Sequence, residues 1–332
     1  MNPPKCDELD YIQFLVAAQK AFTATEAARS QPESRQKPPA HDAFTRLLTR
    51  KPPDTEALWR EAEALVKVGL GLLVHDDTTL DKPYARKMEL VRRHWSGKHK
   101  RVVSGINLST LLWTDGHALV PTDFRVYDKP QDGLTKNEHF RRMLARAEAR
   151  GFGPRYVLFD SWYSALKNLK AIRDYGWQWL TRLKSNRLVN PEKKGNLPVR
   201  EVPIPTEGRV VHLKGYGMVK VFRTVAKDGD AEYWATNDLG MSEEGRRELK
   251  RQGWGIESYH RGIKQCCGVE RSQARGGRAQ RNHLEFALRA FLRLEAYRVR
   301  TGISWYEAKS AVIREAVRAY LTQPLYCLKP SA

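Results

Sequence analysis

Three carboxylates occupy positions from which they could act together on a phosphate. Asp77 and Asp160 each follow a short apolar run that predicts a buried strand, and Glu257 lies in a helical stretch, Gly253–Gln265. Acids at the ends of neighbouring strands can converge, and a third from a packed helix can complete an oxygen-rich site for two Mg²⁺ ions. Strand-end acids also cap helices, as Asp160 could do before Ser161. Spacing alone leaves both interpretations open.

The stretch that carries Glu257 also places cations on the same helix face. Glu257, Arg261 and Lys264 follow the spacing i, i+4 and i+7, which puts them on one side of a helix. One interpretation is a solvated ion-pair face, which stabilises a helix only slightly. The other is a metal-binding carboxylate beside groups that grip phosphate. The stretch by itself favours the first.

Composition favours a polyanionic partner. The chain has 58 Lys and Arg against 38 Asp and Glu, a formal charge of +20, so its surface must attract nucleic acid. A hydrophobic fraction of 41% is ample for a packed core. No apolar run approaches the roughly 18 residues typical of a membrane span. These features predict a cytoplasmic DNA-binding protein with no membrane partner.

Periodicity divides the chain into four predicted regions. Residues 1–68 form a helical N-terminal DNA-binding region, and residues 69–185 alternate strands with helices as the first part of an α/β core. Residues 186–240 are short strands punctuated by proline, a β-rich insertion. Residues 241–332 are helical and complete the core, including Glu257.

Local signals predict several element boundaries. Thr23 and Glu26 have the spacing of a capping box, so a short helix could start there, although no long apolar run follows. Thr55–Val68 has a helical pattern. The Thr-Asp-Gly turn at residues 114–116 predicts that two strands form a hairpin.

A short helix between two proline pairs has a polar face with two arginines. Phe44 and Leu47 point one way, whereas Arg46 and Arg50 point the other. This pattern fits the recognition helix of a helix-turn-helix. An ordinary surface helix explains it equally well.

Cysteine spacing does not favour a zinc site. The four cysteines, at positions 6, 266, 267 and 327, lack the C-x-x-C spacing of a zinc knuckle. We therefore interpret them as core thiols.

Three blocks of sequence carry a family resemblance. "VHDDTTLDKP", "YVLFDSWYSALKNLKAIRDYGW" and "WGIESYHRGIKQCCGVERSQAR" resemble, in order, the signatures of DDE transposases of bacterial insertion sequences. The resemblance is to the cut-and-paste group and runs from about Leu70 to Leu294. It implies an α/β fold: a ribonuclease-H-like mixed sheet flanked by helices, with a β-rich insertion and a small helical N-terminal region.

The resemblance also implies a catalytic triad that binds metal. It places Asp77, Asp160 and Glu257 as ligands of two Mg²⁺ ions, for which Mn²⁺ substitutes. Asp77 is preferred to Asp76 because the family's acid directly precedes a threonine. Neighbouring strand residues face opposite ways, so only one of the two can join the cluster.

The helix motif of the family is only partly matched. Lys264, seven residues after the glutamate, is implied to contact DNA phosphate near the cut, and Trp254 matches the family's tryptophan. Gly253 and Lys250 stand where the family has arginine and tyrosine, with Arg251 as a candidate substitute.

Further DNA contacts are predicted from the basic surface that follows. Arg271, Arg275, Arg278 and Arg281 are candidate phosphate contacts, with a solvated loop as the alternative, and Arg261 is a candidate to offset phosphate charge beside Glu257. Trp162, close behind Asp160, could stack on an unpaired base or could simply pack.

The resemblance implies a DNA transposase that cuts element ends and joins them to target DNA by two-metal-ion phosphoryl transfer. It further implies a homodimer in a synaptic complex with double-stranded DNA, in a bacterial cytoplasm and associated with the nucleoid. Two alternatives remain. One is a ribonuclease-H-like nuclease without strand transfer, and the other is a DNA-binding protein derived from a catalytically dead transposase.

Overall fold

The computed structural model describes residues 4–97, 99–225 and 229–324 of the 332-residue chain. These form two compact units. The sheet unit comprises residues 55–260, and the helical unit comprises the described parts of residues 1–54 and 261–332. The predicted regions divide the chain elsewhere, after residues 68, 185 and 240, and those limits stay a prediction.

The elements of the described residues are as follows. The helices are α1 (Glu8–Ala17), α2 (Ala24–Arg29), α3 (His41–Arg50), α4 (Thr55–Ala62), α5 (Lys129–Asp132), α6 (Lys136–Ala149), α7 (Leu166–Asp174), α8 (Glu243–Gly253), α9 (Gly255–Cys266), α10 (Gly277–Thr301) and α11 (Trp305–Thr322). The strands are β1 (Leu72–Asp81), β2 (Arg92–Ser96), β3 (Arg101–Thr114), β4 (Leu119–Val126), β5 (Tyr156–Phe159), β6 (Trp179–Leu183), β7 (Leu188–Asn190), β8 (Leu197–Pro198), β9 (Arg209–Leu213), β10 (Gly217–Val225) and β11 (Ala231–Thr236).

These strands form one mixed sheet. Its order is β2-β3-β1-β5-β6-β11-β10-β9-β7-β8, and β4 also pairs with β3. The pairs β1–β5 and β5–β6 are parallel, and every other described pair is antiparallel. The predicted α/β mixed sheet flanked by helices is therefore confirmed. Strands of the β-rich segment continue the same sheet, because β11 pairs with β6.

Local signals explain the central hairpin and the helix beside it. Gly116 has a φ of 92°, a backbone conformation that is strained for any residue with a side chain. The Asp115 carboxylate accepts hydrogen bonds from the N–H groups of His117 and Ala118. The predicted hairpin of β3 and β4 is thus confirmed. Helix α6 starts with a capping box between Thr135 and Glu138.

Two features differ from the pattern in the sequence. The helix predicted over Thr55–Val68 ends at Ala62 and passes through a 3₁₀ turn, Glu63–Leu65, because the chain must turn into β1 shortly afterwards. Strand β2 was not predicted. It is rich in charged residues, so it has no apolar run that marks it.

The helical unit has its own core. The 25-residue helix α10 packs on α1, where the Tyr11 hydroxyl lies 3.0 Å from His283 Nδ1. Helix α2 begins as predicted, since Thr23 Oγ1 accepts the N–H of Glu26 at 3.1 Å. Among the helices of the described residues, none is both long and apolar enough to cross a bilayer.

The predicted core thiols can be followed at three of the four cysteines. Cys6, Cys266 and Cys267 are buried and carry free thiols. Cys327 lies outside the described residues.

Candidate active site

Strand register places one acid of the Asp-Asp pair beside Asp160. On the parallel strands β1 and β5, the last pair is His75 with Phe159, and the same register extended by one residue sets Asp76 beside Asp160. Paired residues of a sheet point to the same face, and Asp160 keeps an extended backbone, with φ −80° and ψ 173°. Asp76 and Asp160 therefore share one face.

Asp77 points to the opposite face, where three donors hold it. Its carboxylate accepts from Lys136 Nζ at 2.9 Å and from Asn107 Nδ2 at 3.1 Å, and it forms a short hydrogen bond with the Tyr163 hydroxyl. The charge of Lys136 neutralises this carboxylate. We call this group the Asp77 clamp.

Helices α8 and α9 cover the face of Asp76 and Asp160. Thr110 is the register partner of Asp76 on β3, and its hydroxyl lies 3.4 Å from that of Tyr259 on α9. His260 Nδ1 is 3.9 Å from Asp76 Oδ2. Glu257 lies on the same helix and is exposed. Asp76, Asp160 and Glu257 thus all belong to the sheet unit.

Electrostatics distinguish the two adjacent aspartates. Burial, followed by the negative charges of Asp77, Asp160 and Glu257, raises the pKa of Asp76 well above its usual value, although 25% of its side chain stays exposed. Burial also works to raise the pKa of Asp77, but the charge of Lys136 and the clamp hydrogen bonds outweigh it and hold that pKa below normal. The unneutralised charge therefore lies on the Asp76 side.

Asp160 has the capping role that the sequence offered as one alternative, and its role as a metal ligand stays a prediction. Its Oδ1 accepts the N–H of Trp162 at 2.8 Å, so it caps the 3₁₀ turn Ser161–Tyr163. Burial raises its pKa, and the negative charge of Asp77 adds to this effect. Capping orients the carboxylate and does not exclude metal binding, since a carboxylate has several lone pairs.

The donor set suits a hard divalent cation, although the carboxylates are not drawn together. Within residues 4–97, 99–225 and 229–324, no three His, Cys, Asp or Glu side chains approach closely enough to hold a metal ion. Burial, and after it the repulsion from nearby carboxylates, raises the pKa of Asp76, and a bound divalent ion would relieve that repulsion. The residues present therefore fit Mg²⁺ or Mn²⁺ by chemistry, with Glu257 the most exposed member.

Comparison with known families decides what kind of protein this is. The model of the transposase DDE domain matches residues 69–292, which is more than half of the chain. The chain belongs to the transposase DDE domain family. Recognition of a DDE transposase from its three sequence blocks is thereby confirmed.

A solved structure shares the fold of this transposase. It is the cryo-EM structure of a piggyBac transposase synaptic complex with hairpin DNA, and it is 11% identical to this chain. The match covers 100% of this chain and 78% of that chain, with a TM-score of 0.55. Identity this low shows a common fold alone. No curated protein matches the chain.

The transposase retains cations after Glu257 on α9. Arg261 is exposed, and Lys264 Nζ forms an ion pair with Glu270 at 3.0 Å within the helical unit. Lys264 is therefore partly neutralised where the resemblance implied a phosphate contact. Its role in DNA binding stays a prediction.

The other predicted DNA contacts are all at the surface. Arg46 and Arg50 lie on the exposed face of α3, opposite buried Phe44 and Leu47, as the pattern predicts. Arg46 pairs with Asp42 at 2.6 Å, and Arg50 donates to the Cys6 carbonyl at 2.9 Å.

The basic segment after α9 and the aromatic beside Asp160 are also accessible. Arg271, Arg275 and Arg278 are exposed, and Arg278 donates to the Thr49 carbonyl at 3.3 Å. Trp162 is 59% exposed, with Lys184 Nζ 5.7 Å from its ring centre. Trp162 is therefore not a packing residue of the core.

Positions that depart from the family motif have other partners here. Lys250 Nζ pairs with Glu232 at 3.1 Å and lies 5.1 Å from the centre of the Trp234 ring. Arg251, the candidate substitute, pairs with Glu248 at 2.6 Å on the exposed side of α8.

Sequence reasoning missed the Asp77 clamp. Lys136 lies 59 residues after Asp77, and nothing in its local pattern marks it as an active-site neighbour. Nothing in the local pattern marks Tyr163 as a partner of Asp77 either. A signal did exist for Asp76, since strand alternation already required that only one of the two acids face the cluster.

Proposed function

We propose that this transposase cuts DNA at the ends of a bacterial insertion sequence and joins those ends to target DNA. The observation that carries the proposal is the register of β1 and β5, which sets Asp76 and Asp160 on one sheet face, under the helix that bears Glu257. Acids on one face of a mixed sheet suit phosphoryl transfer once divalent ions draw them together.

Asp76, Asp160 and Glu257 would hold the divalent ions. Mg²⁺, or Mn²⁺ in its place, supplies activation of the attacking water or 3′-hydroxyl and stabilisation of the leaving oxygen. The resemblance alone assigned Asp77 to this set. Register and the Asp77 clamp instead favour Asp76 as the β1 ligand, with Asp77 holding β1 in place from the other face.

Double-stranded DNA is the proposed partner, as element end and as target. Support comes from the formal charge of +20 and from the DNA in the piggyBac synaptic complex. We also propose a homodimer in the synaptic complex, because two element ends must be held together, and a cytoplasmic location with the nucleoid of a bacterial cell.

The test uses Asp160→Asn with DNA that spans the ends flanking the gene. The substitution keeps side-chain size but removes the charge that holds a divalent ion. We expect the variant to bind element ends at least as tightly as wild type and to lose both end cleavage and strand transfer, because one pair of ions serves both steps. Cleavage by Asp160→Asn at the wild-type rate in Mg²⁺ would contradict the proposal.

Two further outcomes identify the alternatives. A wild-type protein that cleaves but does not join precleaved ends is a nuclease without strand transfer. A wild-type protein that binds ends but cleaves in neither Mg²⁺ nor Mn²⁺ is a catalytically dead derivative.

A further inference from the structure

The sheet unit carries a two-stranded ribbon with no assigned role. Strand β1 pairs with β3 only as far as Gly105, whereas Arg101–Ser104 pair with β2. Within the described part of the chain, β2 is an edge strand of the sheet. Strand β2 and residues 101–104 of β3 are called the ribbon below.

One side of the ribbon exposes an aromatic side chain among cations. Trp95 is 67% exposed, and its cross-strand partner Val102 is 46% exposed. Arg93, two residues before Trp95, and Lys100, two residues before Val102, are exposed beside them, and no carboxylate of the described residues pairs with either. The ribbon therefore presents unneutralised positive charge around an apolar centre.

Charge on an edge strand has a simpler explanation, which is protection against pairing with another sheet. Lysine and arginine at an edge serve that purpose. The same explanation does not account for Trp95 and Val102, because an exposed apolar pair at an edge promotes association. An aromatic side chain surrounded by cations is instead the combination that binds nucleic acid, where cations meet phosphates and the ring contacts sugars or bases.

The position of the ribbon points to duplex DNA near the cut. Thr110 is the register partner of Asp76, and Val102 lies eight residues before it on β3. At about 3.4 Å per residue, the ribbon lies roughly 27 Å from the acids along the sheet. That distance is shorter than one turn of B-DNA, about 34 Å. One duplex can therefore contact both.

We propose that the ribbon enters a groove of the duplex within one helical turn of the scissile phosphate. Arg93 and Lys100 contact phosphates, and Trp95 packs against the groove wall. A two-stranded ribbon fits the major groove, which is about 12 Å wide. The inference rests on the proposed function, because the duplex is that of an element end.

The first measurement is the affinity of purified full-length protein for an element-end duplex, by fluorescence anisotropy over a range of salt concentrations. Arg93→Ala with Lys100→Ala should weaken binding roughly tenfold and reduce the slope of log affinity against log salt by about 2. The control is Arg300→Ala with Arg318→Ala, which removes two exposed charges from α10 and α11. A slope equal to that of the control overturns the proposal.

The second measurement separates the aromatic contact from charge. Trp95→Ala should weaken binding with an unchanged salt slope, and Trp95→Phe should restore most of the loss. In hydroxyl-radical footprints, Trp95→Ala should no longer protect the DNA within one turn of the cut, but it should still protect the DNA at the cut itself. Trp95→Ala that binds like wild type, or a loss confined to single-stranded probes, overturns the assignment to duplex DNA.

These results also distinguish failure of the ribbon from failure of the proposed function. Wild-type protein that binds no duplex overturns both. If the ribbon variants bind DNA like the control and the wild-type protein cleaves element ends, only the proposed DNA contact of the ribbon is overturned. If the ribbon variants lose binding and the wild-type protein never cleaves, the DNA contact is supported and the proposed transposase activity is contradicted.

Discussion

Two adjacent aspartates with opposite surroundings are the central feature at the scale of single residues. Asp77 has a neutralising lysine and two further donors, whereas Asp76 faces other carboxylates. A carboxylate already neutralised has less to gain from a cation than one that is repelled by its neighbours. The structure therefore distinguishes two positions that the sequence makes look equivalent.

Matched substitutions test which aspartate binds metal. Asp76→Asn should bind DNA and lose cleavage, because it removes a ligand charge from the face of Asp160. Asp77→Asn should keep measurable cleavage and lower the free energy of unfolding by about 1 to 3 kcal/mol, because Lys136 loses its carboxylate. End-cleavage assays and denaturant unfolding measure the two effects.

The family resemblance taken alone predicts the opposite ranking of these variants. Cleavage retained in Asp76→Asn and abolished in Asp77→Asn, with both variants folded, would return Asp77 to the metal site.

Close packing of helix and sheet is the main feature at the scale of elements. A Cβ built on Gly253 would lie 2.6 Å from Leu158 Cδ2, and one on Gly255 would lie 2.6 Å from Leu119 Cδ2. These glycines let the junction of α8 and α9 sit directly on the sheet. The glycine that departs from the family motif thus has a packing reason.

Gly253→Ala should lower the free energy of unfolding by about 1 to 3 kcal/mol through overpacking. Helix propensity alone would change stability by up to about 1 kcal/mol in the other direction. In a Leu158→Ala background the cost should largely disappear, which a double-mutant cycle measures by denaturant unfolding. Gly69→Ala is the control, since its Cβ would meet open space. Equal costs in both backgrounds would exclude the Leu158 contact as the cause.

Helix α10 carries a buried carboxyl that should make stability depend on pH. Burial raises the pKa of Glu285 from 4.5 to about 7, despite its 2.9 Å hydrogen bond from Arg289. Between these values the native carboxyl binds a proton that the unfolded one has lost, so stability falls as pH rises.

Glu285→Gln should make the free energy of unfolding less dependent on pH. Between pH 4.5 and 7.5, the loss of stability should be smaller than in the wild type by on the order of 1 to 3 kcal/mol. Denaturant unfolding from pH 4.5 to 7.5 measures it. Glu315→Gln, at an exposed position on α11, is the control. A variant with the same slope as wild type would show that Glu285 is ionised throughout.

At the scale of the whole molecule, the excess of positive charge should dominate DNA affinity. Exposed cations release counterions when they neutralise phosphates, so log affinity should fall linearly with log salt. This term is independent of DNA sequence and of the metal site.

Arg275→Ala with Arg278→Ala should reduce that slope by about 2 if both contact phosphates. Filter binding with element-end DNA at several salt concentrations gives the slope. The Arg300 and Arg318 double variant again controls for net charge. A slope that matches this control would assign the segment to a solvated loop.

Turns, helix caps and helix faces could be predicted from the sequence because they depend on residues close together in the chain. The Thr-Asp-Gly turn, the Thr23 cap and the two faces of α3 each depend on residues within a few positions of one another. The order of the acids along three motifs was enough to recognise a DDE transposase.

Only the tertiary structure decided which acid faces the helix of Glu257. Strand alternation requires that Asp76 and Asp77 face opposite ways, but the face that α9 covers and the face that Lys136 reaches depend on packing between distant segments. The same holds for the ribbon, since β2 becomes a strand by pairing with β3 and has no apolar pattern of its own. Long-range pairing places these side chains, and residue spacing along the chain does not encode it.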